Sequence, residues 1–188
     1  MTLNVKPLKL PGLKLLQPQR FKDPRGFLCV TYQASVFAQS GIDEQFPQDI
    51  YSHSEGTVLR GLHYQLSPHA QGKLVRVIRG EVFDVAVDIR RGSPTFGQWE
   101  GVVLSGENGH MLYIPPGFAH GYCTLSPVAD FEYKVTAEYA PQADRGIIWN
   151  DPDLAVEWPV SEPNLSEKDS GLPPLAQAEI NFEYRAAD

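Results

Sequence analysis

The stretch "GEVFDVAVDIR", residues 80–90, carries the clearest strand signal in the chain, because hydrophobic residues alternate with other residues along it. Successive side chains of a β-strand point to opposite faces, so one face collects the hydrophobic residues. Asp84 and Asp88 fall on the other face, which we expect to be the wetter one. The hydrophobic face consists of Phe83, Val85, Val87 and Ile89.

Similar short runs of β-branched and aromatic residues occur on both sides of this strand. Sixteen glycines and sixteen prolines are spread between them, as is typical of an all-β domain. The pattern favours a sandwich or jelly roll over alternating βαβ units. Helix is expected only at 34–40, with a turn near 175–178. The further strands are predicted at 26–32, 58–65, 73–78, 101–104, 110–114 and 131–139.

Length and charge narrow the class of protein. A chain of 188 residues suits one well-buried domain, 1–188, and the turn-rich segment 150–188 is interpreted as a tail packed on the barrel. A net charge of -7 argues against nucleic-acid binding, which requires a basic surface. No apolar run reaches the roughly 18 to 20 residues that span a bilayer, so we expect a cytoplasmic protein without membrane contact.

A metal site is one hypothesis, because "PPGFAH", residues 115–120, matches the PxGxxH turn of the cupin superfamily. Cupin metal sites also use an HxH pair and a nearby glutamate. Here the position two residues after His63 is Gln65, and the first glutamate after it is Glu81. A tightly held transition metal requires three or four protein ligands. We therefore expect no metal.

His63 then has two interpretations, a hydrogen-bonded core histidine or a catalytic base. Many polar residues lie on predicted strands, and such groups inside a barrel need a ligand or a network. Strict alternation would place Arg60 and His63 on opposite faces, unless Gly61 forms a bulge. Tyr133 and Tyr139 would share one face of a strand, either for chemistry or as an aromatic core stripe. The polar set is Arg60, His63, Lys73, His120, Tyr133 and Lys134.

Several longer motifs occur in a fixed order between about Arg20 and Asp169. Together they resemble the dTDP-4-dehydrorhamnose 3,5-epimerase family. The resemblance implies a cupin-type double-stranded β-helix (jelly roll), short carboxyl-terminal helices and an isomerase without cofactor. It also implies a nucleotide-sugar substrate and a homodimer that exchanges strands from residues 1–50. The motifs are "RGLHYQ", "GKLVRVIRGEVFDVAVDIRRGSPTFGQW", "IPPGFAHGY", "YKVTAEYAP", "IIWNDPDLAVEWP" and "LSEKD".

The same resemblance implies a role for individual residues. His63 would be the base, paired with Asp169; Tyr133 would be the acid, and Lys73 would stabilise an enolate. Tyr139 would stack on the nucleotide base. The other positions implied to bind substrate are Arg25, Gln48, Arg60, His120, Asp144 and Lys168.

Val30, Ile50 and Tyr51 depart from the family pattern, because they occupy places where a carboxylate, an amide and a histidine are usual. Asp144 replaces the usual glutamate, which shortens the side chain but keeps its charge. Loss of polar groups changes which ligand groups a site tolerates, since an unmatched buried polar group costs about 1 to 3 kcal/mol. We therefore keep open an epimerase that inverts C3 or C5 only, or a related cupin ketoisomerase. A sugar-binding cupin without catalysis is the remaining alternative.

Overall fold

The computed structural model describes residues 2–185, which form two facing antiparallel sheets and a small hairpin. The strands are β1 (Leu3–Pro7), β2 (Lys14–Pro18), β3 (Arg20–Asp23), β4 (Gly26–Cys29), β5 (Gln48–Glu55), β6 (Leu59–Gln65), β7 (Lys73–Arg79), β8 (Glu81–Asp88), β9 (Trp99–Ser105), β10 (Met111–Ile114), β11 (Phe118–Thr124), β12 (Val128–Val135) and β13 (Asp144–Gly146). The helices are α1 (Ala34–Gln39) and α2 (Glu167–Ser170), with 3₁₀ turns at Pro141–Ala143 and Leu175–Gln177.

The larger sheet has the order β1-β2-β10-β7-β12-β5, and the smaller one has the order β13-β6-β11-β8-β9. The strands β3 and β4 form a separate hairpin. Side chains from both large sheets meet in one hydrophobic cluster, which includes Val75, Val82, Leu112 and Phe131. This is the all-β, cupin-like architecture expected from the sequence.

The hydrophobic face of β8 is buried, but it does not line the space between the sheets. Val85 and Val87 pack instead with Leu154, Ile180 and Phe182 of the carboxyl-terminal segment. The opposite face of β8, which carries Val82 and Ala86, contributes to the cluster between the sheets. The carboxyl-terminal segment therefore covers the outer side of the smaller sheet.

The expectation that Asp84 and Asp88 lie on a wetter face is wrong, because both side chains are fully buried. Asp88 pairs with Arg90 at 2.7 Å and accepts hydrogen bonds from Ser93 and Thr95. Burial would raise the pKa of Asp88, but these hydrogen bonds outweigh it and lower the pKa. Alternation reveals which residues share a face of the strand. It does not reveal whether a polar side chain on that face is buried together with a hydrogen-bonding partner that offsets the cost of its burial.

Element boundaries differ from the predictions at several places. The last strand is predicted at 131–139, but β12 runs from Val128 to Val135, so Tyr139 lies beyond its end. The strand predicted at 26–32 stops at Cys29. The expected short carboxyl-terminal helices correspond to α2 and the 3₁₀ turn at Leu175–Gln177. Six strands were not predicted, because their hydrophobic alternation is weak: β1, β2, β3, β5, β11 and β13. Within residues 2–185, no helix is long and apolar enough to cross a membrane.

Candidate active site

A cavity of about 330 Å³ opens between the two sheets. Its wall combines residues of β5, β6, β7, β11 and β12 with residues at the start of α2. Most of the lining is polar, which is unusual for the interior of a sandwich and points to a ligand site. The lining residues are Ile50, Ser52, Arg60, His63, Lys73, His120, Tyr122, Tyr133, Ser166, Lys168 and Asp169.

A bulge in β6 brings Arg60 and His63 to the same cavity. His63 lies opposite His120 in β11, but Arg60 lies opposite Tyr122, so the register shifts by one residue between them. Gly61 has a φ of +135°, and a Cβ added there would lie 2.5 Å from the Cα of Gly121. Only glycine fits this conformation and this close approach. The bulge that the sequence required is therefore present.

His63 and Asp169 form a close polar contact in the cavity, with 2.6 Å between Nε2 and Oδ1. The Asp169 side chain is only 5% exposed, whereas that of His63 is 29% exposed. Burial would raise the pKa of Asp169, but the hydrogen bond from His63 and the attraction of its ring lower it below the usual value. A carboxylate held in this way fixes the tautomer of the imidazole and supports its protonated form.

The short helix α2 positions Asp169. Ser166 is its N-cap, and the backbone N–H of Asp169 donates to the Ser166 Oγ at 3.1 Å. The backbone N–H of Gly61 lies 3.5 Å from the Asp169 Oδ2. The "SEKD" segment thus begins a helix at the cavity wall, and its cap orients the carboxylate toward His63.

Lys73 is the first residue of β7, and its side chain is almost completely buried. The Nζ donates to the carbonyl of His63 at 3.3 Å. Burial lowers the pKa of Lys73 to about 8, although Asp84 and Asp144 act in the opposite direction. A buried ammonium group next to a reacting carbonyl can stabilise a developing oxyanion.

Tyr133 and His120 line the same cavity from opposite sheets. Tyr133 lies on β12, and burial raises its pKa to about 12, so the phenol keeps its proton at neutral pH. His120 lies on β11, and its Nε2 is 3.1 and 3.0 Å from the two carboxylate oxygens of Asp84. Burial lowers the pKa of His120, while the charge of Asp84 opposes this effect.

A second space of about 210 Å³ adjoins the cavity and shares His63, Lys73, Tyr133 and Lys168 with it. Tyr139 lines this space and is 54% exposed. Its hydroxyl donates to Asp144 Oδ2 at 3.0 Å, and the hydrogen bond raises the pKa of the phenol. Lys168 forms an ion pair with the same carboxylate.

Two residues implied to bind substrate are outside both spaces. Gln48 accepts a hydrogen bond from the backbone N–H of Tyr139 at 2.8 Å, so it supports the loop that carries this tyrosine. Arg25 lies at the turn of the β3–β4 hairpin, where its side chain is 89% exposed and paired with Asp23. Lys134, one of the polar set, also faces away from the cavity and pairs with Asp49.

Four residues that line the 330 Å³ cavity were not predicted as site residues. Tyr122 stacks on Phe131 at 4.1 Å and shares a hydrogen bond with Ser52. Its position two residues after His120 was a usable signal, because a two-residue period places both on one face. Ser52 and Ser166 had no comparable signal. Ile50 was identified only as a departure from the family pattern.

Among residues 2–185, no three histidine, cysteine, aspartate or glutamate side chains converge in an arrangement that could hold a metal ion. The histidines of the cavity, His63 and His120, each bind a carboxylate through Nε2. Imidazole groups held in this way are suited to proton transfer and hydrogen bonding.

Comparison with known proteins gives consistent matches. The family model for dTDP-4-dehydrorhamnose 3,5-epimerase matches residues 7–177. A relative of that name from Shigella flexneri is 52% identical over 168 residues, which cover 89% of this chain and 93% of the relative. A crystal structure of a dTDP-6-deoxy-D-glucose-3,5-epimerase from Legionella pneumophila, in complex with dTDP-4-keto-L-rhamnose, matches with a TM-score of 0.95 and 48% identity. The match covers 98% of this chain and 100% of that one.

A less similar structure has a different specificity. The 3'-monoepimerase from Streptomyces bikiniensis, in complex with dTDP-quinovose, matches with a TM-score of 0.85 and 35% identity. The match covers 90% of this chain and 87% of that one. The same fold therefore occurs in enzymes described as inverting two carbons and in one described as inverting a single carbon.

Proposed function

The chain belongs to the dTDP-4-dehydrorhamnose 3,5-epimerase family and is an isomerase, and we propose that it inverts both C3 and C5 of dTDP-4-keto-6-deoxyglucose. The observation that carries this proposal is the polar cavity, in which a histidine supported by an aspartate of α2 faces a tyrosine of the opposite sheet. The C4 keto group acidifies the hydrogens on both neighbouring carbons, so one site can act on either of them.

His63 is the base in this proposal. Its Nε2 carries the proton that is donated to Asp169, and Nδ1 is then free to take a proton from C3 or C5. Asp169 stabilises the imidazolium that results, because its carboxylate is buried and its pKa is lowered. The 2.6 Å contact and the small exposure of Asp169 support this role.

Lys73 stabilises the enolate that forms when the proton leaves. Its side chain comes from the larger sheet and its buried ammonium group reaches the carbonyl of His63, where a fixed positive charge acts more strongly than in water. The group must be protonated for this purpose. With a pKa of about 8, it carries its charge at neutral pH and loses it as the pH rises through that value.

Tyr133 returns a proton to the opposite face of the sugar ring. Inversion requires that the acid and the base act from opposite sides. His63 belongs to the smaller sheet and Tyr133 to the larger one, so the two groups approach the cavity from facing walls. The raised pKa of Tyr133 keeps the phenol protonated and ready to donate.

The adjoining space holds the nucleotide in our proposal. Tyr139 presents an exposed ring that a pyrimidine base can stack on, and Lys168 supplies a positive charge for the diphosphate. Asp144 pairs with Lys168 and Tyr139, and a bound diphosphate would replace Asp144 as the ion-pair partner of Lys168. Arg60 and His120 bind the sugar hydroxyls or the phosphates from the cavity wall.

We also propose a homodimer in which strands from residues 1–50 contribute to the interface. The β3–β4 hairpin carries three exposed hydrophobic side chains, Phe21, Phe27 and Leu28. Arg25 lies at its tip, away from the cavity of its own chain. A partner subunit that received this hairpin would bury the hydrophobic residues and bring the guanidinium toward a substrate phosphate.

The cytoplasm is the compartment we propose for the enzyme. Cys29 and Cys123 are both free thiols, which fits a reducing environment.

Inversion of a single carbon is the second candidate, because Ile50 lines the cavity directly opposite Tyr133 in the β5–β12 pair. An aliphatic group next to the proposed acid would restrict how the sugar ring turns between inversion at one carbon and inversion at the other. The departures at Tyr51 and Val30 have less influence on the cavity. Tyr51 is exposed and forms a hydrogen bond with Asp130, and Val30 does not line the cavity.

Proton NMR of dTDP-4-keto-6-deoxyglucose with the enzyme in deuterated water tests both candidates. Our proposal predicts that deuterium enters C3 and C5 and that both centres invert. Inversion at one carbon only would support the single-carbon candidate. Binding without any exchange would contradict both and indicate a sugar-binding protein.

A further inference from the structure

Asp84 is a buried carboxylate beneath the catalytic end of the cavity that the proposed reaction leaves without a role. It lies in the middle of β8 and is fully buried. Among residues 2–185, its only side-chain hydrogen-bond partner is the Nε2 of His120, at 3.1 and 3.0 Å from its two oxygens. A buried charge is costly unless it is paired, so the contact with His120 is what makes the burial of this carboxylate tolerable.

The contact with Asp84 determines which nitrogen of His120 carries the proton. A carboxylate only accepts hydrogen bonds, so Nε2 must be the N–H donor. Burial lowers the pKa of His120, which favours the neutral ring. In a neutral ring the other nitrogen, Nδ1, is an acceptor, and within the described chain it has no hydrogen-bond partner. His120 lines the cavity, so this acceptor is available to the substrate.

Lys73 lines the same cavity as His120, the hydrogen-bond partner of Asp84, so the buried carboxylate and the buried ammonium group belong to one cluster. The negative charge of Asp84 favours the ammonium form of Lys73 and partly offsets the effect of burial on the pKa. Two carboxylates raise this pKa, and the effect of Asp84 is larger than that of Asp144. Asp84 on β8 lies behind His120. The charged and titratable groups that line the two spaces with Lys73 are Arg60, His63 and Tyr64 on β6, His120 and Tyr122 on β11, Tyr133 on β12, Tyr139, Asp144 on β13, and Lys168 and Asp169 on α2.

We propose that Asp84 is a positioning residue that fixes the tautomer of His120, which leaves Nδ1 of the buried ring as a hydrogen-bond acceptor, and that it keeps the ammonium group of Lys73 charged. His120 then accepts a hydrogen bond from a sugar hydroxyl through Nδ1 and does not donate to the enolate. Lys73 is then the hydrogen-bond donor that stabilises the negative charge of the enolate oxygen. The part concerning Lys73 rests on the proposed function, whereas the part concerning the His120 tautomer does not.

The pH dependence of kcat/KM tests the effect on Lys73. Asp84→Asn keeps an oxygen that accepts from His120 but removes the charge, so the pKa of Lys73 should fall further. We expect the alkaline limb of the profile, near pH 8 in the unaltered enzyme, to move down by roughly one pH unit, as loss of a nearby opposite charge does. At pH 8 this is about a fivefold loss of kcat/KM, and it approaches tenfold at higher pH.

Asp49→Asn is the matched control, because Asp49 is exposed and pairs with Lys134 outside the cavity. This variant should leave the alkaline limb in place. A limb that stays in place in Asp84→Asn would overturn the proposed effect on Lys73.

Nitrogen-15 NMR of His120 in the unaltered protein tests the tautomer without any variant or substrate. We expect a neutral ring with its proton on Nε2 at about pH 8. A protonated ring, or a proton on Nδ1, would overturn the proposal. This measurement remains informative if Asp84→Asn does not fold. It also separates a failure of the inference from a failure of the proposed function, because it requires no turnover.

Discussion

The two ends of the proposed substrate groove, one proposed to be catalytic and the other to bind the nucleotide, are built in different ways. At the catalytic end, two carboxylates that are almost fully buried, Asp169 and Asp84, each bind a histidine of the cavity. At the other end, Tyr139 and Lys168 are about half exposed and are held by one shared carboxylate, Asp144. The first end is fixed by burial, whereas the second is held by contacts that water can replace.

This difference indicates where each end contributes to catalysis. Groups that are fixed before the substrate arrives need no rearrangement when charge develops, so they lower the barrier of the chemical step. Exposed groups that must give up their own ion pair contribute to binding and hardly to the barrier. Substitutions at the catalytic end should therefore lower kcat, and those at the nucleotide end should raise KM.

His63→Ala should have the largest effect, because it removes the only proposed base. We expect deuterium exchange at both carbons and product formation to fall by about 10³-fold to 10⁴-fold. His69→Ala is the control, since His69 is exposed and does not line the cavity. Unchanged exchange at either carbon in His63→Ala, measured by proton NMR, would assign the base to another residue.

Tyr133→Phe should have a smaller effect that separates two steps. The base remains, so deuterium should still enter the substrate, but inversion should slow by roughly 10²-fold because the acid is missing. Tyr51→Phe serves as the control, because Tyr51 is exposed on the neighbouring strand. Normal rates of inversion in Tyr133→Phe would remove this residue from the acid role.

Lys168→Met should have the smallest effect of the three. Its ammonium group is half exposed and already paired with Asp144, so its removal should raise KM by about tenfold. We expect kcat to stay within about threefold of the unaltered enzyme, because the chemical step does not involve this group. A steady-state titration with substrate gives both constants, and a loss of kcat alone would place Lys168 in the chemistry.

Much of the fold could be predicted from the sequence, because periodicity and turn residues report directly on strands. The alternation in β8 and the bulge at Gly61 were both visible in single motifs. The face of β8 that lines the space between the sheets was not predictable, since both of its faces are buried. Hydrophobic alternation identifies a hydrophobic face but not which of two layers covers it.

The candidate site was predictable to the extent that its residues lie in recognisable motifs. His63, Lys73, His120, Tyr133 and Asp169 line one cavity although they are far apart in the chain. The contact between Asp84 and His120 could not be predicted, because a lone aspartate in a strand gives no sign of its partner. The position of Tyr139 beyond the end of β12 could not be predicted either, because it depends on where the strand pairing stops.

A side-by-side measurement of kcat and KM for Asp169→Asn and Tyr139→Ala tests the contrast between the two ends most directly. For Asp169→Asn we predict a fall in kcat of about 10²-fold or more, with KM within about threefold, because the support of the base is lost. For Tyr139→Ala we predict a rise in KM of about 10-fold to 100-fold, as expected for loss of base stacking, with kcat nearly unchanged. A fall in kcat without a change in KM for Tyr139→Ala, or the reverse for Asp169→Asn, would contradict this account.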